Sequence, residues 1–307
     1  MNGITLEVMR ILYIYLLSLS IFSAKAQDTS EYSLLRLKIQ DEDFFIKHSP
    51  SDEHYIKRAL LKSKLTDYLG AIKDCDTAIK LNSKNAGYFF ARGFLYEKLE
   101  MYKKAVRDYD GGIKLNPTEA GAYNNRGAVK KILGNNKKAI KDYNKAIRIT
   151  PKYAEAYNNK GIAEDDAKKY KAAIKDYDKA MDLNPNYNVV YYNRAMTYFH
   201  MGLFSDAMDD YNRAVKFNPD DPEVYNNRGF LKTKMKLYAE AIEDYNKAIE
   251  LKPNYATAYN NRGWARLNLE KYNDAMDDFQ KAINLNPNKL LYRNNLKQAQ
   301  KKLLKNN

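Results

Sequence analysis

Residues 122–151 read AYNNRGAVKKILGNNKKAIKDYNKAIRITP, and residues 224–253 read VYNNRGFLKTKMKLYAEAIEDYNKAIELKP. The two stretches carry the same residue types at the same places, three lengths of 34 residues apart. Their closing prolines belong to a row of six, Pro117, Pro151, Pro185, Pro219, Pro253 and Pro287, each 34 residues from the next. A fixed period of this size marks one supersecondary unit copied along the chain, each copy resting on its neighbours. A working surface is then expected on a stacked array, with no closed pocket implied.

The rest of the unit keeps the same step. Tyr123-Asn124-Asn125-Arg126-Gly127 returns at Tyr157–Gly161, Tyr225–Gly229 and Tyr259–Gly263, with looser copies at Tyr191–Ala195, Phe89–Gly93 and Tyr55–Ala59. Further along each copy stands an alanine (Ala71, Ala105, Ala139, Ala173, Ala207, Ala241, Ala275). Four residues on comes an aromatic (Tyr109, Tyr143, Tyr177, Tyr211, Tyr245, Phe279), replaced by Cys75 in the first copy. A second small residue follows three places later. Small residues let a second helix approach closely, and the aromatic fills the space they leave. Proline ends the second helix because it has no N–H to donate. Two helices of about 14 residues, each about 20 Å long, fit one period with two short turns. Ile174, Tyr177, Ala180 and Met181 show the three-and-four spacing of one helical face.

On these residues the chain resembles the tetratricopeptide repeat, a helix–turn–helix unit. The resemblance implies an all-α fold, an α-solenoid of seven stacked hairpins in a right-handed superhelix. The expected boundaries are 52–85, 86–119, 120–153, 154–187, 188–221, 222–255 and 256–289, followed by a C-terminal solvating helix at 290–307. One departure is notable. Where the family usually has leucine before the first-helix glycine, this chain has Arg58, Arg92, Arg126, Lys160, Arg194, Arg228 and Arg262. Just before the aromatic stands an aspartate every time: Asp74, Asp108, Asp142, Asp176, Asp210, Asp244 and Asp278. Cation and carboxylate are expected to pair between packed helices, fixing register more than adding stability.

The resemblance also implies that the first helix of each pair lines a concave groove. Asn125, Asn159, Asn193, Asn227 and Asn261 would then line it, their amides offering both donor and acceptor to an extended peptide. The alternative is that they bond to neighbouring helices and water. The place after the glycine holds Met196, Phe230 and Trp264 in successive copies, with Tyr192 and Phe199 on the helix of Met196. An apolar stripe on such a face has the character of a binding hot spot; packing between adjacent first helices is the alternative. Some relatives clamp the carboxylates of chaperone C-termini with a lysine three residues before the glycine and an asparagine after it. Here those places hold asparagine or aromatic residues and apolar residues, so that recognition is not expected.

Elsewhere the chain is informative mainly by exclusion. Ile11–Ser23 is nearly all apolar or small, preceded by Arg10 and followed by Ala24-Lys25-Ala26. Thirteen residues make a helix of about 20 Å, short for a hydrocarbon core of about 30 Å. Residues 1–26 therefore predict a secretory signal cleaved before Gln27, hence a bacterial protein that is periplasmic or secreted. An uncleaved anchor is the lesser alternative. Residues 27–51 form a lead-in with a short helix expected around 32–38. Cys75 is the single cysteine, so no internal disulfide forms, and it reads as a small buried hydrophobe. His48, His54 and His200 lack metal-ligand spacing, and adjacent carboxylates such as Asp277-Asp278 point apart on a helix. Neither a cofactor, a metal nor an enzymatic role is expected. The net charge of +14 is spread over every copy, as on solvated helix faces, and nucleic acid is not expected as a partner. The expectation is a non-enzymatic scaffold holding a peptide or protein partner in its groove; membrane contact is allowed but not required. The alternatives are a self-associating envelope protein and a binder of anionic glycan or lipid surfaces.

Overall fold

The computed structural model describes residues 29–306; the expected signal at 1–26 lies outside them. Among the described residues there are sixteen α-helices and no strand. They fall into two compact units, Met1–Ala167 and Lys168–Asn307. The first unit holds α1 (Thr29–His48), α2 (Asp52–Lys64), α3 (Tyr68–Leu81), α4 (Ala86–Lys98), α5 (Tyr102–Leu115), α6 (Ala120–Ile132), α7 (Asn136–Ile149) and α8 (Ala154–Asp166). The second holds α9 (Tyr170–Leu183), α10 (Val189–His200), α11 (Phe204–Phe217), α12 (Pro222–Lys234), α13 (Tyr238–Leu251), α14 (Ala256–Asn268), α15 (Tyr272–Leu285) and α16 (Leu290–Asn306). Within each unit consecutive helices pack as hairpins, and alternate first helices touch one another: α4 with α6 and α6 with α8, then α12 with α14 and α14 with α16.

Both turns of the period have a local cause. The second helices stop where the period places Asn, Thr or Lys before proline. Asn116, for example, takes extended angles (φ −131°, ψ 91°), as a residue before proline must. The turn inside each hairpin is different. Thr66, Glu100, Gly134, Lys168, Gly202, Lys236 and Glu270 all adopt positive φ, between 57° and 76°, and they stand 34 residues apart. This is the left-handed residue that closes a helix in a Schellman turn. At Thr66 the N–H donates to Ser63 O (3.0 Å) and the next N–H, of Asp67, to Lys62 O (2.9 Å). Only two of the seven are glycine.

Inside each hairpin the small residue and the aromatic interlock. A Cβ added to Gly127 would lie 2.7 Å from the Tyr143 ring, and one added to Gly229 or Gly263 would lie 2.9 Å from Tyr245 or Phe279. Those rings are fully buried, as are the flanking alanines Ala139, Ala241 and Ala275. The first hairpin changes both members at once. Ala59 replaces the glycine and Cys75 the aromatic, leaving a small apolar void lined also by Leu60, Ser63, Ala91, Phe94 and Leu95. Burial holds the Cys75 thiol far above its ordinary range, so it stays an uncharged packing group.

The expected ion pairs form in six hairpins. In each, the arginine Nε and Nη2 donate to both oxygens of the aspartate sixteen residues on, at 2.5–3.0 Å: Arg58–Asp74, Arg92–Asp108, Arg126–Asp142, Arg194–Asp210, Arg228–Asp244 and Arg262–Asp278. Lys160 and Asp176 belong to different units. The third arm, Nη1, reaches the preceding second helix, at Asp76, Asp110, Asp178, Asn212 and Asn246 from the second copy onward. One guanidinium thus ties its own hairpin shut and fastens it to the one before. A planar fork with five donors can do this, and an ammonium cannot reproduce it. Arg58 and Arg92 are held above the usual arginine range, chiefly by their bonds to Asp74 and Asp108.

One single helix packs on the first hairpin and another on the last. The lead-in is one long helix, not the short one expected around 32–38. Leu35 is buried, and Asp43 takes the Nη1 arm of Arg58 (2.6 Å) while Glu42 meets His54 Nδ1 at 2.7 Å. α1 thereby supplies to α2 what a preceding second helix supplies elsewhere. At the other end α16 continues the first-helix register. Tyr292 and Ala299 are buried, and Asn295 Nδ2 donates to Asn260 Oδ1 at 2.7 Å. Leu296 takes the arginine place and exposed Lys297 the glycine place.

Three outcomes follow from this packing. Lys236→Gly should raise stability by about 0.5–1 kcal/mol by relieving the left-handed penalty, and Gly202→Ala should lower it by about 1 kcal/mol; urea midpoints of opposite sign check this, and equal signs would refute it. Asp210→Ala should cost about 3 kcal/mol by leaving the Arg194 fork buried without its main carboxylate, and Arg194→Met with Asp210→Leu should recover much of that loss. A loss below about 0.5 kcal/mol in the single variant, as at a plain surface site, would place the pair among inert contacts. Burial raises the tyrosine hydroxyls: Tyr192 is pushed up to about 12, helped by Glu223 and Asp221, and Tyr143, Tyr211 and Tyr245 are pushed higher. A raised folded pKa means stability is complete below the unfolded value of about 10 and is lost as pH rises through the folded values. Tyrosinate absorbance and helical signal should therefore change together above about pH 10; stepwise ionisation with helicity intact would contradict it.

Candidate functional site

The groove residues expected from the sequence all lie on first helices. The asparagines come as neighbouring pairs, of which the first member is buried (Asn124, Asn158, Asn226, Asn260) and the second half-buried. In the second unit they form a continuous line. Asn295 donates to Asn260 (2.7 Å), Asn260 to Asn261 (3.3 Å), Asn261 to Asn226 (3.1 Å), Asn226 to Asn227 (3.2 Å) and Asn227 to the Tyr192 hydroxyl (2.6 Å). In the first unit Asn159 donates to Asn124 (3.1 Å), which donates to Asn125 (3.4 Å). Each amide passes the bond from one hairpin to the next, and aligned amides polarise one another. Asn124 also donates to Glu155 Oε1 (3.2 Å). Asn193 is half-buried, and its backbone carbonyl accepts from the Thr197 hydroxyl (3.3 Å).

The apolar candidates divide into two groups. Tyr192, Met196 and Phe199 lie partly buried against a core that includes Tyr211 and Leu231. Phe199 has Phe230 at 5.6 Å on one side and Phe204 at 5.7 Å on the other. Phe230 is 36% exposed, and Lys234 places its ammonium 5.1 Å above the ring. These four form one half-open aromatic surface across α10 and α12. Trp264 is seated apart from them, partly buried against Leu267, Phe279, Ala299 and Leu296 of the next cluster. Two exposed residues on the same run of first helices were missed in the sequence, Val189 (47%) and Leu291 (52%). Both occupy the second place of their copies, where Glu223 and Thr257 stand in between, so no apolar column marks them. In the first unit Phe94 repeats the pattern of Phe230, with Lys98 at 5.0 Å above its ring.

Titratable side chains do not converge on any of this. His54 is engaged by Glu42 and stacked on Phe45 at 4.9 Å, His48 bonds the Phe44 carbonyl at 2.8 Å, and His200 lies among Phe199 and Tyr170. Among the described residues no three His, Cys, Asp or Glu side chains are grouped to hold a metal ion. No helix among them is long and apolar enough to cross a membrane. The face offers contact area and hydrogen bonds, in the manner of a binding surface.

Comparison with known proteins agrees with this geometry. The tetratricopeptide repeat model matches residues 154–187, 189–221, 222–255 and 256–289. A second tetratricopeptide repeat model matches 86–119, and a TPR repeat model matches 129–163; together these stretches make up more than half of the chain. No curated protein matches the sequence. Among solved structures, a tetratricopeptide repeat protein from Parabacteroides merdae is 22% identical with a TM-score of 0.66, covering 81% of this chain and 98% of that one. The APC/C hetero-tetramer Cut9-Hcn1 is 16% identical with a TM-score of 0.67, over 85% of this chain and 52% of that one. PilF of Pseudomonas aeruginosa is 19% identical with a TM-score of 0.60, over 68% and 95%. At these identities the likeness concerns the fold. With its 34-residue hairpins matched copy after copy, the chain belongs to the tetratricopeptide repeat family.

Proposed function

We propose that this protein, a protein-interaction scaffold, holds a peptide or protein partner on the first-helix face of its second unit, without catalysing a reaction. The observation that carries the proposal is the surface made by Tyr192, Met196, Phe199 and Phe230, with Phe230 open to solvent. Large apolar side chains grouped on a rigid helical face are what a partner's anchor residues fill. Half-buried Asn227, bonded to the Tyr192 hydroxyl, brings a side-chain amide to the edge of this surface. Helices locked to one another by the arginine forks present this face with little change of shape on binding. We also propose export, on the apolar run Ile11–Ser23 and the Ala24-Lys25-Ala26 site.

The expected outcome concerns Phe230. A photo-crosslinking residue at 230 in the native host should capture a partner that the same residue at position 80, exposed on the second helix α3, does not. Phe230→Ala should weaken binding of that partner by about 2 kcal/mol, roughly thirtyfold, with helicity unchanged. The mature form of this protein itself should begin at Gln27 by N-terminal sequencing. Equal capture from both positions, or full affinity in the Phe230 variant, would overturn the site.

A further inference from the structure

The outward face of the second helices changes sign along the chain. Two places one helical turn apart carry it. In α5 they hold Lys104 and Arg107, and in α7 Lys138 and Lys141. In α11 they hold Asp206 and Asp209, in α13 Glu240 and Glu243, and in α15 Asp274 and Asp277. All ten side chains are exposed. None joins an ion pair in the structure; Lys104 lies over the Tyr96 ring at 5.3 Å. The helices as wholes follow the same trend. α7 has five basic residues and one acidic, while α13 has four acidic and one basic. That one, Lys247, is drawn to Glu250 at 2.6 Å.

Period and charge together fix the geometry of a match. The basic places and the acidic places are the same two places of the same hairpin. Within each unit successive hairpins pack in the same manner, so each charged pair is spaced along its ridge as its counterpart is along the other. A row of cations thus has, elsewhere on the chain, a row of anions with the same step. Complementary rows of this kind steer association, fix register and disfavour other partners.

We propose that the basic ridge of α5 and α7 docks on the acidic ridge of α11, α13 and α15 of a second copy of this chain. If each copy gives and receives, a closed two-fold dimer results; if docking runs one way, the copies grow into a row. In either case association rests on exposed charges and is weakened by salt, because the screening length falls from about 10 Å at 0.1 M to about 3 Å at 1 M. This contact lies on the second helices and is independent of the partner face on α10 and α12.

Light scattering and sedimentation of the full chain test it with two charge-reversed variants. One carries Lys104→Glu, Lys138→Glu and Lys141→Glu; the other carries Asp206→Lys, Glu240→Lys and Asp274→Lys. The unaltered chain should gain mass with concentration at low salt and lose roughly tenfold or more in apparent affinity on going to high salt. Each variant alone should stay monomeric with unchanged helicity, and an equal mixture of the two should associate again. A monomeric unaltered chain at low salt and high concentration would overturn the proposal, and so would variants that associate singly or fail to associate when mixed. Vesicles of phosphatidylglycerol are the control. If the chain binds them through Lys104, Lys138 and Lys141 while remaining monomeric, the ridge belongs to an anionic surface and the proposal fails.

Discussion

The guanidinium fork between hairpins is the constraint on which the rest of the structure depends. A helical hairpin with one apolar stripe cannot bury it alone, and stacking solves that only if neighbours meet in one register. Apolar packing is tolerant of sliding, whereas a bidentate Arg–carboxylate contact is not. Arg92 bonds Asp108 in its own hairpin and Asp76 in the one before, so a shift of either helix breaks at least one arm. The aspartates of the hairpin's own fork, such as Asp108, are buried, which makes a mismatched register costly. The interlocked glycine and aromatic then set how closely the two helices of a hairpin approach.

The line of amides is the counterpart of the forks on the opposite, first-helix side. It runs from Asn295 to Tyr192 in the second unit without a break. Its last member is a tyrosine because the fifth copy has Tyr192 where others have asparagine. The hydroxyl accepts in place of the amide, and the ring turns its body toward Met196 and Tyr211. One substitution thus keeps the junction and adds aromatic surface. The aromatic face of α10 and α12 is in this sense a local variation on a structural motif.

Much of the architecture was legible in the residues. The period gave hairpins, their order and the terminal helix, and the constant Arg and Asp columns gave the forks. Three features were not legible, for physical reasons. The left-handed turn residue is glycine in two copies and Thr, Glu or Lys in the others, so composition hides a conformation that tertiary packing imposes. α1 lacks the alanine and aromatic places of a second helix, and its contacts to α2 through Leu35, Glu42 and Asp43 follow no column. The asparagine pairs read equally well as groove lining or as junctions, because an amide serves both; geometry assigns one bond of each to the junction. The apolar stripe was legible as a column, but the column does not separate Phe230, which is open, from Trp264, which is seated between α14 and α16.

α16 has a consequence for how such a chain can change length. A copy inserted between 222–255 and 256–289 would meet the same arginine, aspartate and asparagine places on both sides and extend the row without a new interface. Beyond Leu290 that is no longer true. Leu296 cannot fork to a carboxylate, and Lys297 stands where the other copies have the glycine or alanine that meets the aromatic ring. A duplicated hairpin is therefore accommodated between like copies, whereas the seventeen-residue helix α16 offers it neither the guanidinium nor the glycine.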